Sequence, residues 1–118
     1  MKFALGEIRN MKDPLIGLLE KPIPVKAAWN LKKLVSGFDK ELAEIEEFRV
    51  SLIKRVGTVD DDGTIKVEDD NMETFVEEFN ELLSQEVEIS FDPMDIGVLG
   101  EDATISAKDM LALDRLFV

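Results

Sequence analysis

The residues best suited to ligand binding are one tryptophan and three lysines near the start of the chain. Lys26, Lys33 and Lys40 recur every seven residues, and Trp29 lies three residues after the first and four before the second. On a helix these positions form one stripe, where an indole can stack on a nucleotide base while lysines hold its phosphates. We favour packing instead, with Trp29 and Val25 in a second apolar stripe and the lysines outside it. The covering residues would be Leu15, Leu18 and Leu19.

Two acidic groups resemble metal sites, and both depart from the known patterns. Part of a calcium-loop pattern occurs at Thr58, Asp60, Asp62, Gly63 and Asp69. Threonine stands first and aspartate replaces the bidentate glutamate at the end, so a hairpin turn is the preferred interpretation. A second group of glutamates lacks the histidines of di-metal bundles, and we interpret it as a solvated acidic face. Its members are Glu41, Glu44, Glu46, Glu47, Glu77, Glu78 and Glu81.

The missing residue types restrict the chemistry further. Histidine, cysteine and tyrosine are absent. The commonest general bases, the soft metal ligands and a disulfide framework are therefore excluded. Carboxylates, lysines, serines and threonines remain, and none forms a catalytic pattern. We expect a non-enzymatic protein without catalytic residues, metal or cofactor.

One long amphipathic helix, from Pro24 to Val56, positions the tryptophan and the lysines. Its apolar residues step by three and four, which is the heptad spacing of a coiled-coil seam. Arg49 is the one charged member of this seam, where an unpaired charge is costly. We expect it to bind Glu46 on the same helix or Glu78 across the hairpin. The seam consists of Ala28, Leu31, Val35, Phe38, Leu42, Ile45, Arg49, Leu52 and Val56.

Shorter elements flank the long helix. Residues 7–20 have helical spacing, although Met1, Phe3 and Leu5 alternate as a strand would, and Asp13-Pro14 is an alternative helix start. Prolines in residues 21–24 predict a break before the long helix. Gly57 predicts the end of the long helix. The basic Lys54 and Arg55 occupy the last turn, where cations suit the negative end of the helix dipole.

The second half of the chain contains a hairpin, a helix, a strand and a final helix. The Asp62-Gly63 pair predicts a β-turn within residues 58–67. Asn71 is the expected cap of a third helix from Met72 to Gln85, and residues 86–91 alternate as a half-buried strand. Residues 93–104 are expected to form a loop. Ser106 then caps a C-terminal helix, with Asp109 third and Ile105 placed against Met110.

These elements predict an α+β domain that is mostly α: a helical hairpin, a small β element and a short capped C-terminal helix. We expect one domain over residues 1–118. Its parts are an N-terminal helix with a proline linker (1–23), the helical hairpin with its acidic turn (24–85), and a strand, loop and helix (86–118).

The two hairpin helices differ in length, so half of the seam lacks a partner. The third helix, of about 14 residues, spans roughly 21 Å, less than half of the long helix. The N-terminal part of the seam must be covered by the N-terminal helix, the C-terminal helix or another subunit. We predict a homo-oligomer or partner interface there, at Ala28, Leu31, Val35 and Phe38.

Charge is unevenly distributed along the chain. Residues 1–40 carry eight Lys/Arg and four Asp/Glu, whereas residues 41–118 carry six and twenty-two. This polarity favours head-to-tail association and disfavours direct binding of nucleic acid or anionic membranes. No segment has the length and hydropathy of a membrane span. We therefore expect a cytosolic protein.

Several segments together resemble a recurrent group of small, uncharacterised proteins of tailed bacteriophages and prophages. They are PVKAAWNLKKL, ELAEIEEFRVSLIKRVG, DDDGTIKVEDDN, METFVEEFNELLSQEVEISF and ISAKDMLALDRLF. The resemblance implies a phage context, with the host cytoplasm as the compartment and the virion as the alternative, and supplies no catalytic residues. It leads us to expect a virion or assembly component that associates with itself or another phage protein. The alternatives are an accessory inhibitor that binds a host protein through the acidic surface, and a protein that sequesters nucleotides at Trp29.

Overall fold

A helix of 32 residues dominates the computed structural model, which describes residues 1–118. The elements are β1 (Lys2–Ala4), α1 (Leu5–Leu19), α2 (Val25–Val56), β2 (Thr58–Val59), β3 (Ile65–Lys66), α3 (Asp69–Leu83), β4 (Glu86–Glu88) and α4 (Ala107–Leu113). Short 3₁₀ turns, Ile96–Leu99 and Asp114–Leu116, lie on either side of α4. The mostly helical α+β class and the helical hairpin are confirmed.

Local sequence determines both ends of α2. Pro24 has an extended backbone and lies immediately before the first helical residue, where the chain leaves the proline break. Gly57 follows the last residue, and its backbone is extended as well. Lys54 and Arg55 lie in the final turn, where cations interact favourably with the helix dipole. The predicted start and end of the long helix are therefore confirmed.

The N-terminal segment forms a strand and a helix in succession. β1 pairs antiparallel with β4, with Phe3 opposite Val87. The helix begins at Leu5, because the Glu7 carboxylate accepts a hydrogen bond from the Ala4 N–H at 3.0 Å and so closes the first turn. Pro14 lies inside α1. The alternative in which it starts a shorter helix is therefore wrong.

The N-terminal half of α2 is covered within the chain. α1 folds back along it, and the Phe3 ring packs edge-to-face on Phe38 with centroids 5.2 Å apart. α4 adds Leu113, and the turn after it adds Leu116, to the same core. The fully buried residues of this core include Phe3, Ile8, Leu15, Leu31, Phe38, Leu113 and Leu116.

The covered half corrects the expected interface. Leu31 and Phe38 are fully buried, and Ala28 and Val35 are partly buried, with Val35 packed against the core. Since α1 already occupies this side of α2, the unpaired seam that would require a second subunit does not exist. The reason for placing an intermolecular contact at these four residues is removed.

The third helix starts earlier than its sequence suggested. α3 begins at Asp69, with Glu68 at the N-cap position. The prediction that Asn71 caps this helix is wrong, because Asn71 lies in the first turn. Its side-chain amide instead donates to the Val56 carbonyl at 2.8 Å. This bond satisfies one of the free carbonyls at the end of α2 and ties the two helices together.

The C-terminal segment follows its sequence signals more closely. The Ser106 hydroxyl accepts a hydrogen bond from the Asp109 N–H at 3.1 Å, so the predicted cap of α4 is confirmed. The strand is shorter than residues 86–91, and the predicted loop contains the first 3₁₀ turn. Met94 forms a parallel bridge with Phe117 beside it.

Glu7 joins the two ends of the chain and has a perturbed acidity. The Arg115 guanidinium binds its carboxylate and also donates to the Lys2 carbonyl at 2.7 Å. Partial burial raises the pKa of Glu7, but the hydrogen bonds from Ala4 and Arg115 outweigh that effect. The pKa therefore lies below its ordinary value of 4.5.

We expect Glu7→Gln to lower the free energy of unfolding near pH 7 by up to about 1 kcal/mol, the upper range for an exposed ion pair. Because the folded-state pKa is depressed, the contribution of Glu7 is present above about pH 4.5 and is lost as the pH falls through the folded value. Urea unfolding at neutral and acidic pH should show the difference shrinking. Glu20→Gln, at an exposed position, is the matched control. A difference that is constant with pH would contradict this assignment.

Candidate functional site

Trp29 is exposed, so the predicted packing against α1 is wrong. Its side chain is 56% exposed, and the Lys32 ammonium lies 5.1 Å from the centre of its ring. Helical geometry places Trp29 on the side of α2 opposite Leu31 and Leu34. The residues expected to cover Trp29 belong to the core instead. Leu15 and Leu18 are buried in it, and Leu19 is partly buried against it.

We call the surface around Trp29 the lysine face. It combines the tryptophan with Lys26, Lys32, Lys33 and Lys40, all of which are exposed. None of these four ammonium groups lies within 4.0 Å of a carboxylate; the only lysine ion pairs are Lys12–Asp39 and Lys66–Asp60. The three lysines of the sequence stripe lie along one side of α2, as their helical spacing requires. Lys32 was missed, although its position three residues after Trp29 was the available signal.

Two cavities lie beside the lysine face, between α2 and the segment after β4. One, of about 450 Å³, is lined by Lys33 and Asp92 together with Asn30, Ile89, Ser90 and Phe91. The other, of about 360 Å³, has Lys26 and Asp95 in its lining and shares Asn30. Each cavity pairs one lysine with one aspartate, so a phosphate would meet a carboxylate as well as an ammonium group. Nucleotide binding at Trp29 remains a prediction. The exposed indole favours it, whereas the aspartates that line the two cavities would repel a phosphate.

The opposite end of the molecule is a thin acidic projection, which we call the arm (residues 46–85). It comprises the C-terminal part of α2, the β2–β3 hairpin and α3, in a molecule 56 Å long and 27 Å wide. Leu52 is its one fully buried residue, and Leu52 lies outside the main core cluster. The arm carries twelve Asp/Glu and four Lys/Arg, a net charge of −8. It is therefore both poorly packed and strongly negative.

Ion pairs organise the arginines of the arm. The Arg49 guanidinium donates to the Glu46 carboxylate, with its Nε at 2.9 Å, so the same-helix alternative is confirmed. This hydrogen bond, with the positive charge behind it, holds the pKa of Glu46 below its ordinary value. Glu78, the other alternative, binds Arg55 across the hairpin.

The predicted β-turn at the tip of the arm is confirmed. Gly63 has a φ of +85°, which glycine adopts without strain, and β2 pairs with β3 on either side. The Asp62 carboxylate accepts from the Thr64 N–H at 2.9 Å, and this hydrogen bond lowers the pKa of Asp62. Lys66 lies 3.4 Å from Asp60. Two carboxylates of the calcium-like pattern are thus engaged in holding the turn.

A cleft between α2 and α3, the arm cleft, opens on one side of the arm. It is a shallow, open depression of about 220 Å³ that combines apolar Phe48 and Leu82 with acidic Glu78 and Glu81; Arg55 and Gln85 complete its lining. The sequence predicted the acidic crowd and its exposure, but not a cleft. A cavity of this size accepts one large side chain, and its acidic residues favour a cationic neighbour.

None of the helices combines the length and apolar character needed to cross a bilayer. No protein-family model matches the chain, and neither the comparison with curated proteins nor that with solved structures gives a match.

Proposed function

We propose that this is a non-enzymatic, phage-encoded protein that acts by protein–protein association, with the arm as its contact element. The observation that carries the proposal is the packing of the arm, in which one of 40 residues is fully buried. Several large apolar side chains of the arm are exposed instead: Phe48, Val50, Val59, Met72 and Val76. Exposed apolar side chains on a loosely packed element are typical of a surface that a partner covers.

The charge of the arm restricts the partner. Two arms brought face to face would each carry −8, and like charges at close range oppose association. A basic partner is attracted by the negative potential of the arm, so its association does not carry this repulsive cost. The partner surface is therefore expected to combine lysine or arginine with an apolar anchor.

Association through the arm fits an assembly component best. An elongated molecule with a basic face at one end and an acidic arm at the other associates in one direction. The resemblance to small phage proteins supports that context. The acidic arm also favours a second role, in which it occupies a basic groove of a host protein. Genes for tail or lysis proteins beside this one would favour assembly, and an early or accessory locus would favour inhibition.

Photo-crosslinking in the cell tests the proposal directly. A photoreactive residue replaces Val76 on the arm, which is 45% exposed, or Leu111 on α4, which is 82% exposed and serves as the control. We expect covalent products at position 76, with a basic protein or a second copy identified by mass spectrometry. Position 111, although more exposed, should give few products. Equal crosslinking at both positions, or none at 76, would contradict a contact through the arm.

A further inference from the structure

We propose that the partner of the arm is a second copy of this chain, whose lysine face docks head to tail on the arm cleft. The inference rests on the proposed function, and it names both the partner and the contacting surfaces. Trp29 of one copy inserts between Phe48 and Leu82 of the next.

Charge complementarity within one molecule is the first support. The lysine face presents four ammonium groups without a carboxylate neighbour. The arm presents an excess of eight negative charges, and Glu78 and Glu81 line its cleft. Each surface carries an excess of the charge that the other lacks, although Asp92 and Asp95 share cavities with two of the lysines and Arg55 binds Glu78 in the cleft. Association brings these opposite charges together, and added salt should weaken it by screening them.

The apolar parts of the two surfaces match as well. Trp29 and the adjacent Val25, 85% exposed, form an apolar centre within the lysines. The arm cleft has the complementary arrangement, with Phe48 and Leu82 inside and carboxylates beside them. An aromatic anchor that fills a pocket inside a ring of polar contacts is the usual organisation of an interface hot spot.

The placement of the two surfaces makes the contact directional. Trp29 and Phe48 lie 19 residues apart on the same straight helix, which corresponds to about 28 Å along its axis. Different patches therefore meet, and each added copy leaves one free lysine face and one free cleft. Such a heterologous contact continues into a chain of subunits unless the rotation closes a ring.

The single tryptophan of the protein reports on this contact without a label. As the concentration of purified full-length protein rises to about 100 µM in low salt, we expect the Trp29 emission to shift to the blue while light scattering shows multimers. An increase from about 50 mM to about 500 mM salt should reverse both changes. A wild-type protein that stays monomeric under these conditions overturns the inference.

Charge reversal identifies the surfaces. Lys33→Glu on the face and Glu81→Lys in the cleft should each raise the dissociation constant about tenfold or more, the effect of losing a close charge pair. Mixing the two variants should restore multimers in which the two proteins alternate, because the intact face of one meets the intact cleft of the other and the two altered surfaces again carry opposite charges. The double variant Lys33→Glu/Glu81→Lys should regain multimers, since the charges again complement each other.

Matched variants separate this result from a general effect of net charge. Lys108→Glu on α4 and Asp13→Lys on α1 change the charge equally at exposed positions outside both surfaces, and we expect them to associate like the wild type. Association lost equally in the controls, or not restored in the double variant, overturns the assigned surfaces. A photoreactive residue at the exposed Glu77, one helical turn before Glu81, samples the cleft side of α3. Crosslinking of position 77 to a different basic protein, and not to a second copy, would overturn the second-copy inference and leave the proposed function intact.

Discussion

Replacing Phe38 with alanine is expected to lower the free energy of unfolding by about 3–5 kcal/mol. Phe38 is fully buried, and it packs edge-to-face against Phe3, which joins α2 to the β1–β4 pair. The substitution removes a large apolar surface and that aromatic contact, and it leaves a cavity that a close-packed core fills only in part. For a domain with an ordinary stability of about 5–15 kcal/mol, the loss approaches global unfolding. Urea titration followed by circular dichroism measures it.

A substitution on the same helix provides the comparison. Phe48→Ala removes the same group from a position that is 38% exposed, and its cost should be clearly smaller. The result also discriminates between a core and an interface. If Phe38 lay between subunits, the variant would dissociate as a folded monomer instead of losing stability within one chain. A folded monomeric Phe38→Ala protein with full stability would contradict its burial within one chain.

Replacing Gly57 with alanine is expected to lower the stability by about 1–3 kcal/mol, the cost of overpacking a tight site. A methyl group there would lie 2.5 Å from the Ile53 carbonyl oxygen and 2.9 Å from that of Lys66. It would also lie 2.7 Å from a methyl carbon of Ile65. Two of the three clashes involve backbone, so the base of the β2–β3 hairpin has to shift.

Gly17→Ala is the matched control for this prediction and should have the opposite sign. Nothing lies within 4 Å of a Cβ at Gly17, which is inside α1. Alanine there should raise the stability by about 0.5–1 kcal/mol, because glycine loses more backbone entropy in a helix. Equal midpoints for the two variants would show that the contacts at Gly57 do not constrain the hairpin.

Local signals predicted the fold where one residue and its neighbours decide the outcome. The proline break, Gly57, the Asp62-Gly63 turn and the Ser106 cap all depend on backbone preferences that the sequence carries directly. The prediction that Asn71 caps α3 was wrong because its side-chain amide donates to the end of α2. Local sequence patterns do not contain such a contact. The pairing of β1 with β4 is also a tertiary fact, since its strands are far apart in sequence.

Tertiary packing decided the parts of the candidate site that the sequence did not predict. The lysine stripe follows from helical spacing, and the structure brings those lysines together. The sequence did not specify which side of α2 packs against α1, because α2 has two apolar stripes. α1 packs against the seam, and Trp29 on the other stripe is exposed. The arm cleft required the angle between α2 and α3, which no residue pattern records.

The separation of the core from the arm has a consequence for how the molecule opens. Every member of the main core cluster comes from residues 3–45 or 99–116, and the arm is an excursion of the chain between these two groups. Local opening costs least where few apolar contacts break. α3 holds no fully buried side chain, and only its C-terminal part, with Phe79, Leu82 and Leu83, packs on the core. We therefore expect the hairpin tip and the N-terminal turns of α3 to open before α1 does. A partner that binds the ordered arm would stabilise it against this local opening as it associates.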